Sequence, residues 1–438
     1  MSSVISPKFK VAICGAGITG LALAAFLSSA KNSSDIQIDI YESKKEVSAD
    51  GSGIAVWKRT WQVLKQLGFE KDCTERNIRT PQEGESSGPI FRRSDTPDNA
   101  IDFHSHIMPY GPMFLSRPQL LEVLQTKLNS DNCKIHTSKK VTTYELASNS
   151  IKIRFADGSD TTADVFLGCD GVHSNVRATL FAHDSALAKP IFSGQLAYRS
   201  MCKQEDIVSK SPDHPALTQT RAWCGSGKHV ISNPFIHPAT GQKFINIVCF
   251  DNIPGGPGVE FEEWSAKVDV EEIQKLFVPG EWEDNIITLL AASEPPTRWA
   301  VHVVQPLPYF GRGTVAVLGD AAHAMTPHQG IGAGQGIEDA LFLGRLLTHP
   351  TRTRDNVPIL MEIYNEMRVK PAQRAVDKSR RTGEMYDLIQ LKGEGMDLKK
   401  LGEAIGTEFS WLGLGGVEED WMRAEGMLKE KLGLTKTK

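Results

Sequence analysis

The fold is decided by residues 10–42, which read KVAICGAGITGLALAAFLSSAKNSSDIQIDIYE. A short apolar run, Val11–Cys14, predicts a buried strand, and the glycine-rich loop Gly15–Gly20 follows it directly. Strong helix formers come next, and a second strand, Ile36–Tyr41, leads to Glu42. This order of strand, glycine turn, helix, strand and acidic residue predicts a Rossmann-like dinucleotide-binding unit.

The glycine spacing has a physical reason at each position. Gly15 permits a very tight turn, Gly17 lets a pyrophosphate approach the backbone, and Gly20 lets helix and strand pack closely. The helix N-terminus offers free N–H groups to the phosphates, and Glu42 stands where an acid binds a ribose hydroxyl. An ordinary glycine-rich turn is the plain alternative, and the loop alone does not tell which dinucleotide binds.

Composition narrows the class of protein. The chain has 438 residues, of which 40% are hydrophobic, so it can bury a sizeable core. Charged residues make up 23% and the net charge is −4, so there is no excess of basic residues to indicate nucleic-acid binding. No apolar run approaches the ~18 residues of a membrane helix, and residues 1–8 lack a signal-peptide core, so we expect a cytoplasmic protein. The seven cysteines form no CxxC pair, which argues against a metal site.

Four segments are predicted along the chain. Residues 1–185 form the first part of the nucleotide-binding domain, and polar–apolar alternation within 186–298 predicts a second domain built on an antiparallel sheet. A buried strand at 313–318 marks the return to the first domain over 299–350, and 351–438 is predicted to be mainly helical. The expected fold class is α/β with an inserted sheet domain and a C-terminal helical region.

Three local features are also predicted. Pro81–Ala100 is rich in Pro, Gly and Ser and is expected to be a surface excursion. Ser116 and Gln119 fit a capping box for a helix that continues to Leu128. The turn Asp50–Gly53 could bring backbone close to a planar ligand, and a plain loop explains it equally well.

Two more glycine turns lie far from the first. Gly168–Arg177 reads GCDGVHSNVR and predicts a strand end and a helix start, with Asp170 in the turn. Gly319–Asp320 closes another buried strand, and the run Pro327–Gly336, PHQGIGAGQG, leads into a helix. A glycine-rich loop before a helix is the plain alternative for that run.

In this order, the three motifs resemble those of the single-component FAD-dependent aromatic hydroxylases, and most of all the salicylate-hydroxylase-like members, which include fungal phenol-modifying monooxygenases. The resemblance extends from Lys10 to about Trp411. It implies a Rossmann-like FAD-binding domain of the para-hydroxybenzoate hydroxylase type. FAD would be the cofactor, and NADH or NADPH the co-substrate.

The resemblance implies an FAD site built from these motifs. Asp320 would accept hydrogen bonds from ribityl hydroxyl groups, and the helix that starts near Gly332 and Ala333 would direct its positive end toward the flavin. In relatives the turn that contains Asp170 serves both FAD and NAD(P)H. Glu42 would bind the adenosine ribose of FAD.

Gly53 and Arg117 complete the implied cofactor site. Arg117 would contact the flavin, and Gly53 would lie beside the isoalloxazine. The plain alternative for Arg117 is a solvated arginine at a helix start.

The resemblance also implies two residues for the chemistry. Arg199 matches a position that relatives use to hold an anionic phenolate or carboxylate, and an edge-strand surface arginine is its alternative. His229 matches the first member of a His-x-x-x-Tyr pair, but Asn233 replaces the tyrosine, so a general base and a satisfied strand histidine both remain open. His323 and His328 flank the flavin segment and have no assigned role.

The implied reaction starts with reduction of FAD by NAD(P)H and capture of O2 as a C4a-hydroperoxide, which hydroxylates a phenol. A hydroxybenzoate-type acid is the expected substrate, with or without loss of CO2. The alternatives are ring or dearomatising hydroxylation of a larger phenol in secondary metabolism, a flavin epoxidase or dehydrogenase, and a non-catalytic relative that binds a protein partner. The intact Asp170 and Asp320 motifs argue against the last. The exact phenol, the choice of NADH or NADPH and a homodimeric state are open.

Overall fold

The computed structural model describes residues 8–48, 53–237, 240–259, 261, 263–392 and 397–434. Of the predicted turn Asp50–Gly53, only Gly53 belongs to the described residues. Residues 1–7 of the N-terminal segment also lie outside them.

Strands and helices follow one another in the order that the sequence predicts for an α/β chain with an inserted sheet. The strands are β1 (Phe9–Cys14), β2 (Ile36–Tyr41), β3 (Gly53–Val56), β4 (Ser86–Arg93), β5 (Ile101–Met108), β6 (Met113–Ser116), β7 (Cys133–His136), β8 (Val141–Leu146), β9 (Ile151–Phe155), β10 (Asp160–Ala163), β11 (Val165–Gly168), β12 (Ile191–Lys203), β13 (Arg221–Gly225), β14 (Lys228–Ile236), β15 (Lys243–Asn252), β16 (Ser265–Lys267), β17 (Thr297–Val303), β18 (Gly311–Arg312) and β19 (Val315–Val317). The helices are α1 (Ile18–Ser29), α2 (Lys58–Gln66), α3 (Phe69–Glu75), α4 (Arg117–Thr126), α5 (Asn175–Leu180), α6 (Ser185–Ala188), α7 (Gln204–Val208), α8 (Val270–Leu276), α9 (Asp284–Ala291), α10 (Asp320–His323), α11 (Gly332–Leu347), α12 (Val357–Tyr386), α13 (Leu398–Phe409) and α14 (Val417–Lys431).

The nucleotide-binding unit is built on a six-stranded sheet with the order β18-β19-β11-β1-β2-β7. Its strands are parallel except β18, and the apolar runs that predict β1, β2 and β11 are buried because helices cover the sheet. The Rossmann-like prediction is therefore confirmed. Helix α1 packs against α11, so the first glycine loop and the third glycine-rich run meet at one edge of the sheet.

The second sheet has eight strands in the order β16-β17-β12-β15-β14-β13-β4-β5. Its pairs are antiparallel except β4 with β13, which confirms the antiparallel prediction for the inserted segment. The surface excursion predicted for Pro81–Ala100 is wrong, since β4 lies within it and Phe91 is fully buried. Two strands of the first chain segment thus extend this sheet, and the exact segment boundaries stay predictions.

The two faces of this sheet pack against different partners. One face forms a core with α8 and α9 that contains Trp223, Ile247 and Ile286. The opposite face packs under the C-terminal helices, where Phe91 and Tyr386 belong to a separate cluster. The helical C-terminal region is confirmed, and among the described residues no helix is both long and apolar enough to cross a membrane.

Candidate active site

The loop Gly15–Gly20 has the shape of a phosphate cradle. Gly15 has φ +99°, and a Cβ there would lie 2.4 Å from the Cys169 carbonyl oxygen, so only glycine fits. A Cβ on Gly20 would lie 2.0 Å from the Gly15 carbonyl oxygen. At Gly17, in contrast, a Cβ would meet no described atom within 4 Å. The open space lies at the N-terminus of α1, where free N–H groups attract phosphate.

Glu42 lies beside this loop. Its Oε2 accepts a hydrogen bond from the Ala16 N–H at 2.9 Å, and its Oε1 accepts from the Lys44 N–H at 2.8 Å. These contacts hold the carboxylate at the edge of the cradle, where a ribose hydroxyl of the same ligand would reach it. Its role as a ribose ligand stays a prediction.

Asp170 stabilises the start of α5. One carboxylate oxygen accepts from the Ser174 hydroxyl at 2.5 Å, and the other accepts from the Asn175 N–H at 2.8 Å. Burial raises the pKa of Asp170 even though these hydrogen bonds favour its charged form. The buried Arg177 donates to the Ala321 carbonyl at 2.9 Å and so ties this turn to α10. Asp170 therefore shapes the cofactor edge of the sheet, and its direct contact with a ligand stays a prediction.

Asp320 is the first residue of α10, and Leu318 and Gly319 connect it to β19. Its carboxylate is exposed and has no hydrogen-bond or ion-pair partner among the described residues, so it is available to hydroxyl donors. A Cβ on Gly332 would lie 3.9 Å from Asp320 Oδ1, and Gly332 and Ala333 form the first turn of the 16-residue helix α11. The predicted acceptor for ribityl hydroxyls and the predicted helix N-terminus for a flavin edge are thus adjacent, and both roles stay predictions.

A buried ionic network that the sequence does not reveal holds this edge in place. Asp339 accepts from the Gly319 N–H at 2.9 Å, contacts His323 at 2.6 Å, and accepts from Arg368 at 2.7 Å. Burial opposes the charge of Asp339, but His323 and Arg368 outweigh it and lower the pKa of that carboxyl. His323 is therefore a structural residue of the cofactor edge.

Gly53 and Arg117 are brought together by a two-stranded ribbon. Gly53 of β3 pairs with Ser116 of β6, and Arg117 follows at the start of α4. The predicted capping box is confirmed, because the Ser116 and Gln119 side chains each accept from the other residue's N–H. A Cβ on Gly330 would lie 3.3 Å from Ala55 on the same ribbon. These predicted flavin contacts therefore converge beside the third glycine-rich run.

Arg199 lies on the sheet face that packs toward this run. Arg199 pairs with Val248 of β15, and Val248 pairs with Ile231 of β14. Because the side chains of paired residues point to the same face of a sheet, Arg199 and Ile231 share one face. Strand β12 is internal, so the edge-strand alternative is wrong. The side chain is half-buried, its Nε has no hydrogen-bond partner among the described residues, and burial together with Arg117 lowers the pKa of Arg199.

His229 is fully buried on the same face, two residues from Ile231. Its Nδ1 lies 2.6 Å from Asp387 Oδ1, and its ring stacks on Phe250 with centroids 4.6 Å apart. Its Nε2 has no partner among the described residues, so one ring nitrogen is satisfied and the other is free. The His328 ring, from the third glycine-rich run, lies 5.2 Å away.

These positions fit an FAD-dependent hydroxylase. The glycine cradle, Asp320 and the α11 N-terminus lie along one edge of the sheet, as the binding of an extended dinucleotide requires. The face with Arg199 and His229 lies beside the third glycine-rich run. Among the described residues no group of three or more His, Cys, Asp or Glu side chains could hold a metal ion.

Comparison with known proteins identifies the family. The family model described as "FAD binding domain" matches residues 8–193 and 238–379. Salicylate hydroxylase of Pseudomonas putida is 30% identical over 414 residues, which cover 93% of this chain and 92% of that protein. The 6-methylsalicylate 1-monooxygenase of Aspergillus terreus is 30% identical over 399 residues, or 86% and 82% of the two chains.

The fold comparison agrees. The structure of a salicylate hydroxylase substrate complex superposes with a TM-score of 0.80 at 27% identity, covering 95% of this chain and 98% of that one. The chain therefore belongs to the family of FAD-dependent aromatic monooxygenases. Its cofactor is FAD, and the family's usual reductant is NADH or NADPH.

Proposed function

We propose that this enzyme hydroxylates a phenolic acid of the hydroxybenzoate type. The observation that carries the proposal is the sheet face that bears both Arg199 and His229. Among the described residues, neither Arg199 Nε nor His229 Nε2 has a hydrogen-bond partner. Two relatives are named for salicylate and 6-methylsalicylate, which are hydroxybenzoates. A cation and a proton acceptor on one apolar face suit a substrate that carries an acid group and a phenol.

Each residue has a defined role in this proposal. Arg199 binds the carboxylate, because a half-buried guanidinium whose Nε has no partner in the described part of the chain gains a charge-assisted hydrogen bond there. His229 Nε2 accepts the proton of the phenol hydroxyl, and this deprotonation makes the aromatic ring of the substrate more electron-rich. The apolar cluster around Trp57, Phe91 and Ile331 excludes water from the same space. FAD, held by the cradle and the Asp320 edge, supplies the activated oxygen when it is bound and reduced.

Loss of CO2 depends on which ring carbon receives the oxygen. Hydroxylation at the carboxyl-bearing carbon releases CO2, whereas attack at a free ring carbon retains the carboxylate. We propose the first outcome for an ortho-hydroxy acid, because the two relatives named above act on acids of that pattern.

The test is a panel of hydroxybenzoates and phenols incubated with the FAD-loaded enzyme, O2 and either NADH or NADPH. Substrate-stimulated NAD(P)H oxidation and the product mass are measured together. We expect the mass to rise by one oxygen and fall by CO2 for the best acid. Retained carboxylate would refute the decarboxylating subclass, and oxidation of NAD(P)H with only hydrogen peroxide as product from every compound would refute the hydroxybenzoate assignment.

A further inference from the structure

We propose that Asp387 is a positioning residue for this hydroxylation: it holds the His229 ring with Nε2 as the proton acceptor. The inference rests on the proposed function, in which His229 is the base. Asp387 follows the last residue of α12, and 158 positions separate it from His229 in the chain. No motif in the sequence connects the two residues.

The hydrogen bonds around Asp387 assign the proton on His229. Asp387 Oδ1 lies 2.6 Å from His229 Nδ1, and Oδ2 accepts from Asn252 Nδ2 at 2.7 Å and from Gln195 Nε2 at 3.4 Å. Because the two amide donors occupy Oδ2, Oδ1 is the carboxylate oxygen that accepts the N–H of His229 Nδ1 in this arrangement. We therefore assign the proton to Nδ1, which leaves a lone pair on Nε2.

The charge of Asp387 gives it a second effect. Its side chain is only 2% exposed, and His229 is its only ion-pair partner among the described residues. When His229 takes a proton at Nε2, a buried carboxylate without a cation becomes a buried ion pair. That gain favours proton transfer from the phenol, as in other His–Asp pairs where the carboxylate orients the imidazole and stabilises the imidazolium.

The neighbouring groups do not compete for this role. The titratable neighbours of the pair are Cys224 of β13, Asp251 of β15, His328 of the third glycine-rich run and Tyr386 of α12. Burial, together with His229, holds the pKa of His328 well below its usual value, so this ring stays neutral. Burial also raises the pKa of both Tyr386 and Cys224 well above their usual values. Burial raises the pKa of Asp251, although Lys228 opposes it.

The first experiment compares wild-type enzyme with D387N, which keeps the shape but removes the charge. A nitro-substituted hydroxybenzoate with a coloured phenolate is bound to the oxidised, FAD-loaded protein, and the ionised fraction is read across pH. We expect the bound phenol of wild type to ionise at a lower pH than the free compound, and that shift to disappear in D387N. For the best substrate, kcat should fall about 100-fold or more while KM changes only a few-fold.

A matched control exists in the same chain. His136 Nε2 and Asp39 Oδ1 form a His–Asp pair at 2.7 Å, at the β2–β7 edge of the other sheet. D39N should leave both the bound-phenol spectrum and kcat unchanged. An equal effect of D39N and D387N would overturn the proposal, because it would show a general response to loss of a His–Asp contact.

A double-mutant cycle separates positioning from simple structural support. Because Asp387 acts through His229, D387N should lower kcat only slightly when it is made in the H229N variant, which already lacks the base. An equal loss of kcat in the wild-type and H229N backgrounds would overturn the proposal. If D387N does not retain FAD, D387E tests the same point, because its retained charge should preserve the shift in the bound-phenol spectrum that we expect in wild type.

The two proposals can fail separately. If no phenol is hydroxylated but the bound chromophore loses its pH shift in D387N, the proposed function is wrong, while the assignment of Asp387 as the residue that positions the His229 ring stands. If hydroxybenzoates are hydroxylated and D387N matches wild type in spectrum and kcat, the role of Asp387 is wrong and the function stands.

Discussion

Arg199 of β12 and Arg117 at the start of α4 lie close enough for their positive charges to oppose each other. Together with burial, Arg117 lowers the pKa of Arg199. The two guanidinium groups create a local positive potential, and Arg199 Nε has no hydrogen-bond partner in the described part of the chain. The space between them attracts an anion, either from the substrate or from the cofactor.

Replacing Arg199 with alanine should therefore raise KM for a hydroxybenzoate by about 10- to 100-fold, because a charge-assisted hydrogen bond contributes about 1.5–3 kcal/mol. Steady-state kinetics on the acid and on the corresponding phenol without a carboxylate would measure it. The phenol should be almost insensitive to the change. R79A, at an exposed arginine, is the matched control. An equal loss for both compounds would show that Arg199 does not bind the carboxylate.

Asp320 is expected to act on the cofactor and not on the substrate. D320A should weaken FAD binding by about 10- to 100-fold, since the freed ribityl hydroxyls would lose a charged acceptor. Titration of the apoprotein with FAD, followed by flavin fluorescence, measures the Kd. The exposed Asp213 supplies the control variant D213A, for which no change is expected. Unaltered FAD affinity in D320A would contradict the assignment.

Two glycines with positive φ provide a test of the phosphate cradle. Gly15 has φ +99° and a carbonyl oxygen 2.4 Å from the position of a Cβ, whereas Gly158 has φ +83° and open space. G158A should cost about 1 kcal/mol of folding stability from backbone strain alone. G15A should cost more and abolish FAD retention, because strand β11 must move. Similar melting temperatures and flavin content in the two variants would show that the contact at Gly15 is easily relieved.

A histidine pair under α13 predicts a loss of stability in acid. His106 is buried against Phe409, its Nδ1 lies 3.4 Å from His104 Nε2, and burial together with His104 lowers the pKa of His106 to about 4. The unfolded chain protonates His106 more readily than the folded protein does. The folded protein therefore keeps its full free energy of unfolding above pH 6.5 and loses part of it as the pH falls toward 4. The loss amounts to about 3 kcal/mol.

Urea unfolding at a series of pH values between 6.5 and 4 would measure that loss. H106L should flatten the dependence of unfolding free energy on pH, and H183Q, at an exposed histidine, should not. A wild-type curve that is flat in this range would contradict the expected effect.

The nucleotide-binding unit could be predicted because its signals are local. Strand β2 has the predicted bounds, and helix α1 begins only three residues before the predicted run at Leu21. The spacing of Gly15, Gly17 and Gly20 depends on contacts within one strand–helix–strand unit and on the adjacent strand β11. Periodicity and turn chemistry act over this range, so a sequence pattern is sufficient.

The parts that were not predicted depend on distant contacts. Strand β4 begins with Ser86-Ser87-Gly88-Pro89, which has the composition of a loop. Ser86 and Ser87 nevertheless pair with β5, and the rest of the strand, Ile90 to Arg93, pairs with β13, which lies far away in the chain. Asp387 and Asn252 have no local signal, and tertiary packing alone brings them to His229. The same is true of the Asp339 network beneath the cofactor edge.

The distance along the chain between His229 and Asp387 has a consequence for biosynthesis. The ribosome releases the Gly15–Gly20 cradle well before residue 387, so nascent chains can form β1, α1 and β2 before the His–Asp pair exists. An incomplete translation product that stops before α12 ends would keep His229 without its carboxylate partner. In the role proposed for Asp387, hydroxylation of a phenol therefore becomes possible only after residue 387 has emerged, later than the Gly15–Gly20 cradle.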